Sequence, residues 1–524
     1  MITLLDYGAG NVRSVINAIE HLGESIKIVK TGDDILSAEK LVFPGVGAFG
    51  SMMEILMQKG FVLPLKQYLL ENRPFLGICL GLHALFDGSD EASGQKGLGI
   101  IPGQVKRFET NLSVPHIGWN GISCHQSSIL WQKCSGNEKF YFVHSYHAVP
   151  ESDEYILCTT DYEKPFTSGI QKGNIIALQF HPEKSGNAGL KLLSNFLETN
   201  SNKTMPVQSI SKTKLSKRII ACLDVRANDQ GDLVVTKGDQ YDVREKGSVR
   251  NLGKPVELAR RYYESGADEI TFLNITGFRD FPLEDMPMLT VLKNTSLNVF
   301  VPLTIGGGIR DYKDENGQFY SALDVASAYF RSGADKVSIG SDAVDIVEKY
   351  LNTGKKTETS AIETIARVYG NQAVVISIDP RRVYIADPAK TSHKVIPTQY
   401  PGPNGENFCW YQCTVKGGRE GRPVDAITLA QVCELMGAGE ILLNCIDKDG
   451  TNSGFDIELI NSVRDAVTIP VIASSGAGCE DHFLEVFKET NAESALAAGI
   501  FHRNEIPIQN VKKYLKGRVE IRME

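Results

Sequence analysis

The chain has 524 residues, with 55 Lys+Arg against 63 Asp+Glu, a net charge of −8, a charged fraction of 23% and a hydrophobic fraction of 42%. These values exclude a disordered or collagen-like chain, and the length calls for two or more hydrophobic cores. No run approaches the roughly 18 apolar residues of a membrane span, and no basic block is longer than the pair Arg381-Arg382. Neither nucleic acid nor membrane is therefore expected as a partner. The ten cysteines stand singly, without a CxxC pair, which fits a reducing compartment and argues against structural metal.

From Met1 the chain enters an apolar strand directly, with nothing that resembles a signal or transit peptide. The expectation is a cytoplasmic protein, or one of the plastid stroma if a transit peptide has been removed. Short β-branched runs then alternate with helical stretches as far as residue 200, giving a first α/β domain over 1–200. A strand over Lys40–Phe43 leads into Pro44-Gly45-Val46-Gly47, a turn suited to aiming backbone N–H groups at an oxyanion. A change in the peptide orientation of that turn is expected to accompany activation.

Phe75-Leu-Gly-Ile-Cys79-Leu-Gly81 ends a strand in a cysteine flanked by glycines, ahead of a helix predicted over Leu82–Phe86. A nucleophile on a sharp strand-to-helix turn needs small neighbours, and the helix N-terminus favours its thiolate. A lone cysteine is more often a small buried apolar residue. Here Gln179-Phe-His181-Pro-Glu183 adds an imidazole with a carboxylate two residues on, a base and the group that would orient it.

Together with Tyr7-Gly-Ala-Gly-Asn11, His116-Ile-Gly-Trp-Asn120 and Phe142-Val-His-Ser-Tyr146, these motifs resemble the class I glutamine amidotransferases, flavodoxin-like α/β glutaminase domains. The resemblance implies L-glutamine as substrate and release of ammonia through a thioester. It makes Cys79 the nucleophile, His181 the base and Glu183 its partner, and it places Gly45, Gly47, His83, Ser145 and Tyr146 at the substrate. It also puts Tyr141 and Lys184 at a docking surface. Where that family carries Gln four residues after the cysteine, this chain has His83.

Residues 201–216 are polar, carry one proline and read as a short linker, and 217–524 form the second domain. Four apolar runs there recur in order. Ile219–Asp224 matches Val374–Asp379, Gly266–Leu273 matches Gly437–Asn444, Val301–Gly308 matches Ile469–Gly476, and Ala334–Gly340 matches Glu493–Gly499. With helices such as Pro255–Ser265 and Asp425–Met436 between them, eight units predict a (β/α)8 TIM barrel made of two half-barrels. Asp314–Tyr320, Asn352–Ser360 and Pro388–Gln412 lack the period and read as loops, the last a long excursion after the fifth strand.

Barrels of this type place their chemistry at the carboxyl ends of the strands. Asp224 and Asp379 occupy that position on equivalent strands, a pair able to divide acid and base roles. Gly307, Gly308, Gly340 and Ser341 form one glycine-rich cup, and Asp449, Gly450, Ser475, Gly476, Ala498 and Gly499 form a second. Matching cups predict a ligand with a phosphate at each end, with Lys237 adding a cation. At the opposite ends Arg218, Glu269, Lys336 and Glu440 suggest a salt-bridge ring on alternate strands.

This half resembles the histidine-biosynthesis cyclase barrels. The resemblance implies that ammonia converts phosphoribulosyl-formimino-AICAR-phosphate into imidazole glycerol phosphate and AICAR. It further implies an ammonia gate at the four charges, the glutaminase docked on that face, both activities in one monomeric chain, and no cofactor. An aldose–ketose isomerase shares the aspartates and cups but not Cys79, and a non-catalytic metabolite sensor would keep the phosphate cups but need none of Cys79, His181, Glu183, Asp224 and Asp379.

Overall fold

The computed structural model describes residues 1–523 except 9–10, 133, 199–212, 229–231, 237–243, 246–247, 250 and 276–281, and leaves the side chains of 244–245, 248–249 and 285 undescribed. In the first half the central sheet contains β1 (Ile2–Leu4), β2 (Ile26–Ile28), β3 (Leu41–Gly45) and β4 (Phe75–Cys79). It continues through β5 (Gly103–Arg107), β6 (Tyr146–Pro150), β7 (Lys164–Lys172) and β8 (Ile175–Leu178). The order is β2-β1-β3-β4-β8-β7-β6-β5, extended beyond β5 by the two-residue strand Gly88–Ser89. The pairs from β2 to β8 are parallel and those from β8 to β5 antiparallel. The central strands β3 and β4 are buried along their whole length. Such strands read as continuous apolar runs rather than alternating ones.

The second half is a closed parallel barrel. Its strands are β9 (Arg218–Ala227), β10 (Glu269–Asn274), β11 (Leu303–Gly306), β12 (Lys336–Ile339), β13 (Val374–Ile378), β14 (Glu440–Asn444), β15 (Val471–Ser474) and β16 (Ser494–Ala497), with β16 pairing back to β9. Each repeat predicted from the sequence supplies one of them. The helices run over Pro255–Glu264 and Ala426–Met436, close to their predicted bounds.

Two stretches expected as loops contain strands. Tyr312–Lys313 and Phe319–Tyr320 form a small hairpin, and Phe408–Val415 pairs with Pro380–Ile385, Ile396–Pro397 and Glu420–Asp425 in a separate four-stranded sheet. The prolines and glycines of 388–405 suggested an unstructured excursion, but most of them fall in the connections between these strands, and Pro397 lies in the two-residue strand Ile396–Pro397 itself.

The last residues of the predicted linker are fixed to the first half. Ser216 donates its N–H to the Trp119 carbonyl (2.8 Å), Thr213 and Asp161 exchange hydrogen bonds (2.8 and 2.9 Å), and Leu215 packs on Gly118. Lys217 then bridges to Ile521 at the C-terminal end, and the chain enters β9.

The halves meet across the amino-terminal rim of the barrel. Asn11 donates to Asp335 (2.7 Å) and to the Gly333 carbonyl (3.0 Å), Lys184 pairs with Asp335 (2.7 Å), and Gly186 donates to the Phe300 carbonyl (2.9 Å). Trp119 donates its indole N–H to the Asp268 carbonyl (3.1 Å), while the Arg522 guanidinium lies 4.0 Å from its ring centre. Among the described residues no helix is long and apolar enough to cross a membrane.

Candidate functional site

Cys79 is the last residue of β4 and the cap of the helix Leu80–His83, which begins two residues earlier than predicted. Its backbone sits at φ 52°, ψ −102°, in the left-handed half of the map that a non-glycine residue adopts only at a cost. The tight turn explains the glycines: a Cβ on Gly81 would lie 2.1 Å from the Phe43 carbonyl oxygen, and one on Gly45 would lie 2.4 Å from the Leu80 Cβ.

His181 follows β8, the neighbour of β4, and is fixed at its backbone. Its N–H donates to the Tyr141 carbonyl (2.9 Å), and its own carbonyl accepts from Ser185 Oγ (2.6 Å). Its Nδ1 lies 2.8 Å from Glu183 Oε1, and it shares a hydrogen bond with Cys79. Burial alone would lower the His181 pKa, but Glu183 and the Cys79 sulfur together raise it well above the ordinary imidazole value. The three predicted triad residues thus form one line of contact, all buried.

Gly47, at φ 139°, borders the same pocket, and a Cβ there would approach the Val368 carbonyl oxygen of the barrel to 3.0 Å. Ala48 donates to that same carbonyl (3.3 Å), and the Val46 carbonyl accepts from the Tyr7 hydroxyl (2.7 Å). His83 Nε2 lies 2.9 Å from Gln179 Oε1. The Ser145 carbonyl accepts from Phe108 N–H (3.1 Å), and Tyr146 lies within electrostatic reach of Glu91.

Glu91 is a residue that the sequence reading missed. Desolvation pushes its carboxyl up to about 7 against one backbone hydrogen bond from Phe49. Only the fold brings it toward Tyr146, and no local motif marks it.

The wall opposite the sulfur belongs to the barrel. The pocket lined by Gly47, Cys79, Tyr141, His181 and Lys184 is completed by Asp335, Lys336 and Gln372. Lys336 is part of a closed ring of four charges. Arg218 pairs with Glu269 (2.8 Å) and with Glu440, and Lys336 pairs with both glutamates (2.6 Å each). All four are at most 1% exposed. They begin the first, second, fourth and sixth strands, so the ring is not confined to every second strand as the repeat had suggested.

At the carboxyl-terminal mouth Asp379 stands one residue beyond β13. Its Oδ1 accepts from Asn444 Nδ2 (2.8 Å), which also reaches Ser377 Oγ (3.1 Å). Desolvation raises its pKa, and these two neutral partners only moderate the shift. Asp224 lies inside β9 beside Thr236, and both it and Asp449 act electrostatically on the buried Cys222 thiol.

In the first cup Gly340 caps the 13-residue helix Ser341–Thr353, and Gly307 and Gly308 take φ of 93° and 77°. Ser341 Oγ accepts from Lys416 N–H (3.3 Å). In the second, Gly450, Ser475 and Gly476 all have positive φ, and Gly454 donates to the Gly476 carbonyl (2.9 Å). Ala498 caps the short helix Gly499–His502. Lys237 lies outside the described residues.

Fold and pocket define a class: an amidotransferase-type α/β half sharing one cavity with the floor of a (β/α)8 barrel. The glutamine amidotransferase class-I family model matches residues 3–200, and the histidine biosynthesis protein model matches 218–507. An Arabidopsis thaliana protein named imidazole glycerol phosphate synthase hisHF, chloroplastic, is 59% identical over all of this chain and 90% of its own length. The Schizosaccharomyces pombe protein of the same name without the organelle is 55% identical over 98% of both chains. The HisF subunit of Methanopyrus kandleri is 43% identical over 58% of this chain and 97% of its own. The chain belongs to the histidine biosynthesis protein family and, within it, to the fused imidazole glycerol phosphate synthases.

Proposed function

We propose that this chain makes imidazole glycerol phosphate and AICAR from phosphoribulosyl-formimino-AICAR-phosphate, using nitrogen taken from L-glutamine, with the site residues in the following roles. The observation that carries this reading is the shared cavity, with Cys79 and His181 on one wall and Lys336 on the other.

Cys79 attacks the glutamine carboxamide, and the oxyanion that forms is met by backbone N–H groups of Leu80 and of the Gly47 turn. The turn must first rotate a peptide, because the Val46 carbonyl is held by Tyr7. His181 hands a proton to the departing nitrogen as the thioester forms, and then takes one from the water that releases glutamate. Ammonia leaves on the barrel side, where Lys336 and its glutamates close the floor.

At the mouth the substrate's two phosphates lie in the glycine cups, and Asp379 and Asp224 move the protons of ring closure. We also place the protein in a reducing compartment, the cytosol or the plastid stroma, because its ten cysteines stand singly in the sequence without a CxxC pair, and read it as a single-chain enzyme.

The test is Cys79→Ala. It should lose glutamine-dependent synthesis by about 10³-fold or more and still make product from ammonium salts, with both rates followed by AICAR release. Loss of the ammonium-dependent reaction as well would refute separate centres.

A further inference from the structure

Beside the nucleophile lies a pair of polar side chains that the reaction scheme leaves without a task. Gln179 is wholly buried on the segment between β8 and His181. Its Nε2 lies 3.6 Å from Cys79 Sγ, and its Oε1 lies 2.9 Å from His83 Nε2. His83 is itself 3% exposed, and its Nδ1 has no partner.

Each orientation follows from its neighbour. A sulfur paired with protonated His181 is an acceptor only, so the Gln179 carboxamide must turn its NH2 toward the sulfur. Its oxygen then faces His83, which must carry its proton on Nε2, leaving Nδ1 a buried lone pair without a hydrogen-bond partner. Burial lowers the His83 pKa to about 4 against the raising effect of Gln179, so the ring stays neutral and this tautomer persists at neutral pH. Turned the other way, the carboxamide would set an oxygen lone pair against the sulfur and leave two acceptors in contact.

We propose that His83 and Gln179 are positioning residues that act in series: His83 fixes the carboxamide of Gln179, and Gln179 donates to Cys79 to stabilise its thiolate. His83 is thus given a task that does not require it to touch glutamine. The proposal rests on the nucleophile reading of Cys79 and adds a second donor, beside His181, to the charged sulfur.

The test uses the full chain. Iodoacetamide labelling of Cys79, followed by mass spectrometry of its own peptide between about pH 5 and 10, gives the pH midpoint of its reactivity. Gln179→Leu should raise that midpoint by about one unit, which slows labelling about tenfold below it. Gln179→Glu, which sets a negative charge beside the sulfur, should raise it further. His83→Leu should move it in the same direction, and the double Leu variant should move it no further than Gln179→Leu alone, because the two act through one contact. His83→Gln, which keeps an N–H donor, should restore it.

An unmoved midpoint in Gln179→Leu, or shifts that add in the double variant, would overturn the relay. If Cys79→Ser still hydrolysed glutamine, the nucleophile reading would fail instead, and the midpoints would still decide whether the carboxamide acts on the sulfur.

Discussion

The two rims of the barrel set carboxylates among opposite kinds of partner, a wholly buried Glu440 among cations and a partly exposed Asp379 among neutral donors. On the floor, burial pushes the Glu440 pKa up, but Arg218 and Lys336 outweigh it and hold the carboxyl below its ordinary value. At the mouth, burial raises the pKa of Asp379, and among the described residues no cation pairs with it in compensation; Asn444 and Ser377 only moderate the rise. Glu440 opens β14, and Asp379 follows the end of its neighbour β13. The partner therefore decides the role. A carboxylate locked between two cations is a structural bolt, whereas one held by neutral donors stands ready to exchange a proton.

That contrast can be broken at either rim. The largest effect is expected at the mouth, where Asp379→Asn should lower synthesis by about 10²–10⁴-fold. The loss should be the same with glutamine or ammonium as nitrogen source, because the change lies beyond the point where the two routes merge. A drop confined to the glutamine-dependent rate would place Asp379 outside ring closure.

On the floor, Glu440→Gln strands Arg218 and Lys336 with one carboxylate between them. Denaturant unfolding should show a loss of about 3–5 kcal/mol. A variant as stable as the parent would mean that the ring is not a bolt.

The finest distinction lies in pH dependence. A carboxyl whose folded pKa is raised contributes stability that is complete below its unfolded value and is lost as pH rises through the folded one. Asp379→Asn removes that loss. Its unfolding free energy relative to the parent should therefore increase from acid toward neutral pH, starting near the ordinary aspartate range. For Glu440, whose folded value is depressed, the sign reverses: its contribution is present above the unfolded pKa and fades as pH falls through the folded one.

Much of this architecture was legible in the chain because the barrel repeats itself. The pairs Glu269 with Glu440 and Gly308 with Gly476 fall at the same place in their half-barrels, so the register could be read twice. The contact between Cys79 and His181 was legible for another reason: both sit at strand ends in short motifs that the tight turns require. What escaped the sequence had no such local cause. Glu91 approaches Tyr146 only after strands distant in sequence have paired, and Asp335 joins Asn11 to Lys184 only after the two halves have packed. The sheet over 380–425 was concealed by its turns, whose prolines and glycines dominate a reading that counts residue types. The strand Phe408–Val415, with its aromatic and β-branched residues, carried the opposing signal.

The joint between the halves follows from how parallel barrels are wound. Ser216 is bound to Trp119, and two residues later Arg218 opens the first strand and belongs to the ring of charges. A strand of this kind always starts at the amino-terminal rim, so any domain spliced ahead of it arrives beneath the barrel without a long tether. The order of the two coding segments in such a splice thus already specifies which end of the second catalyst the first will supply.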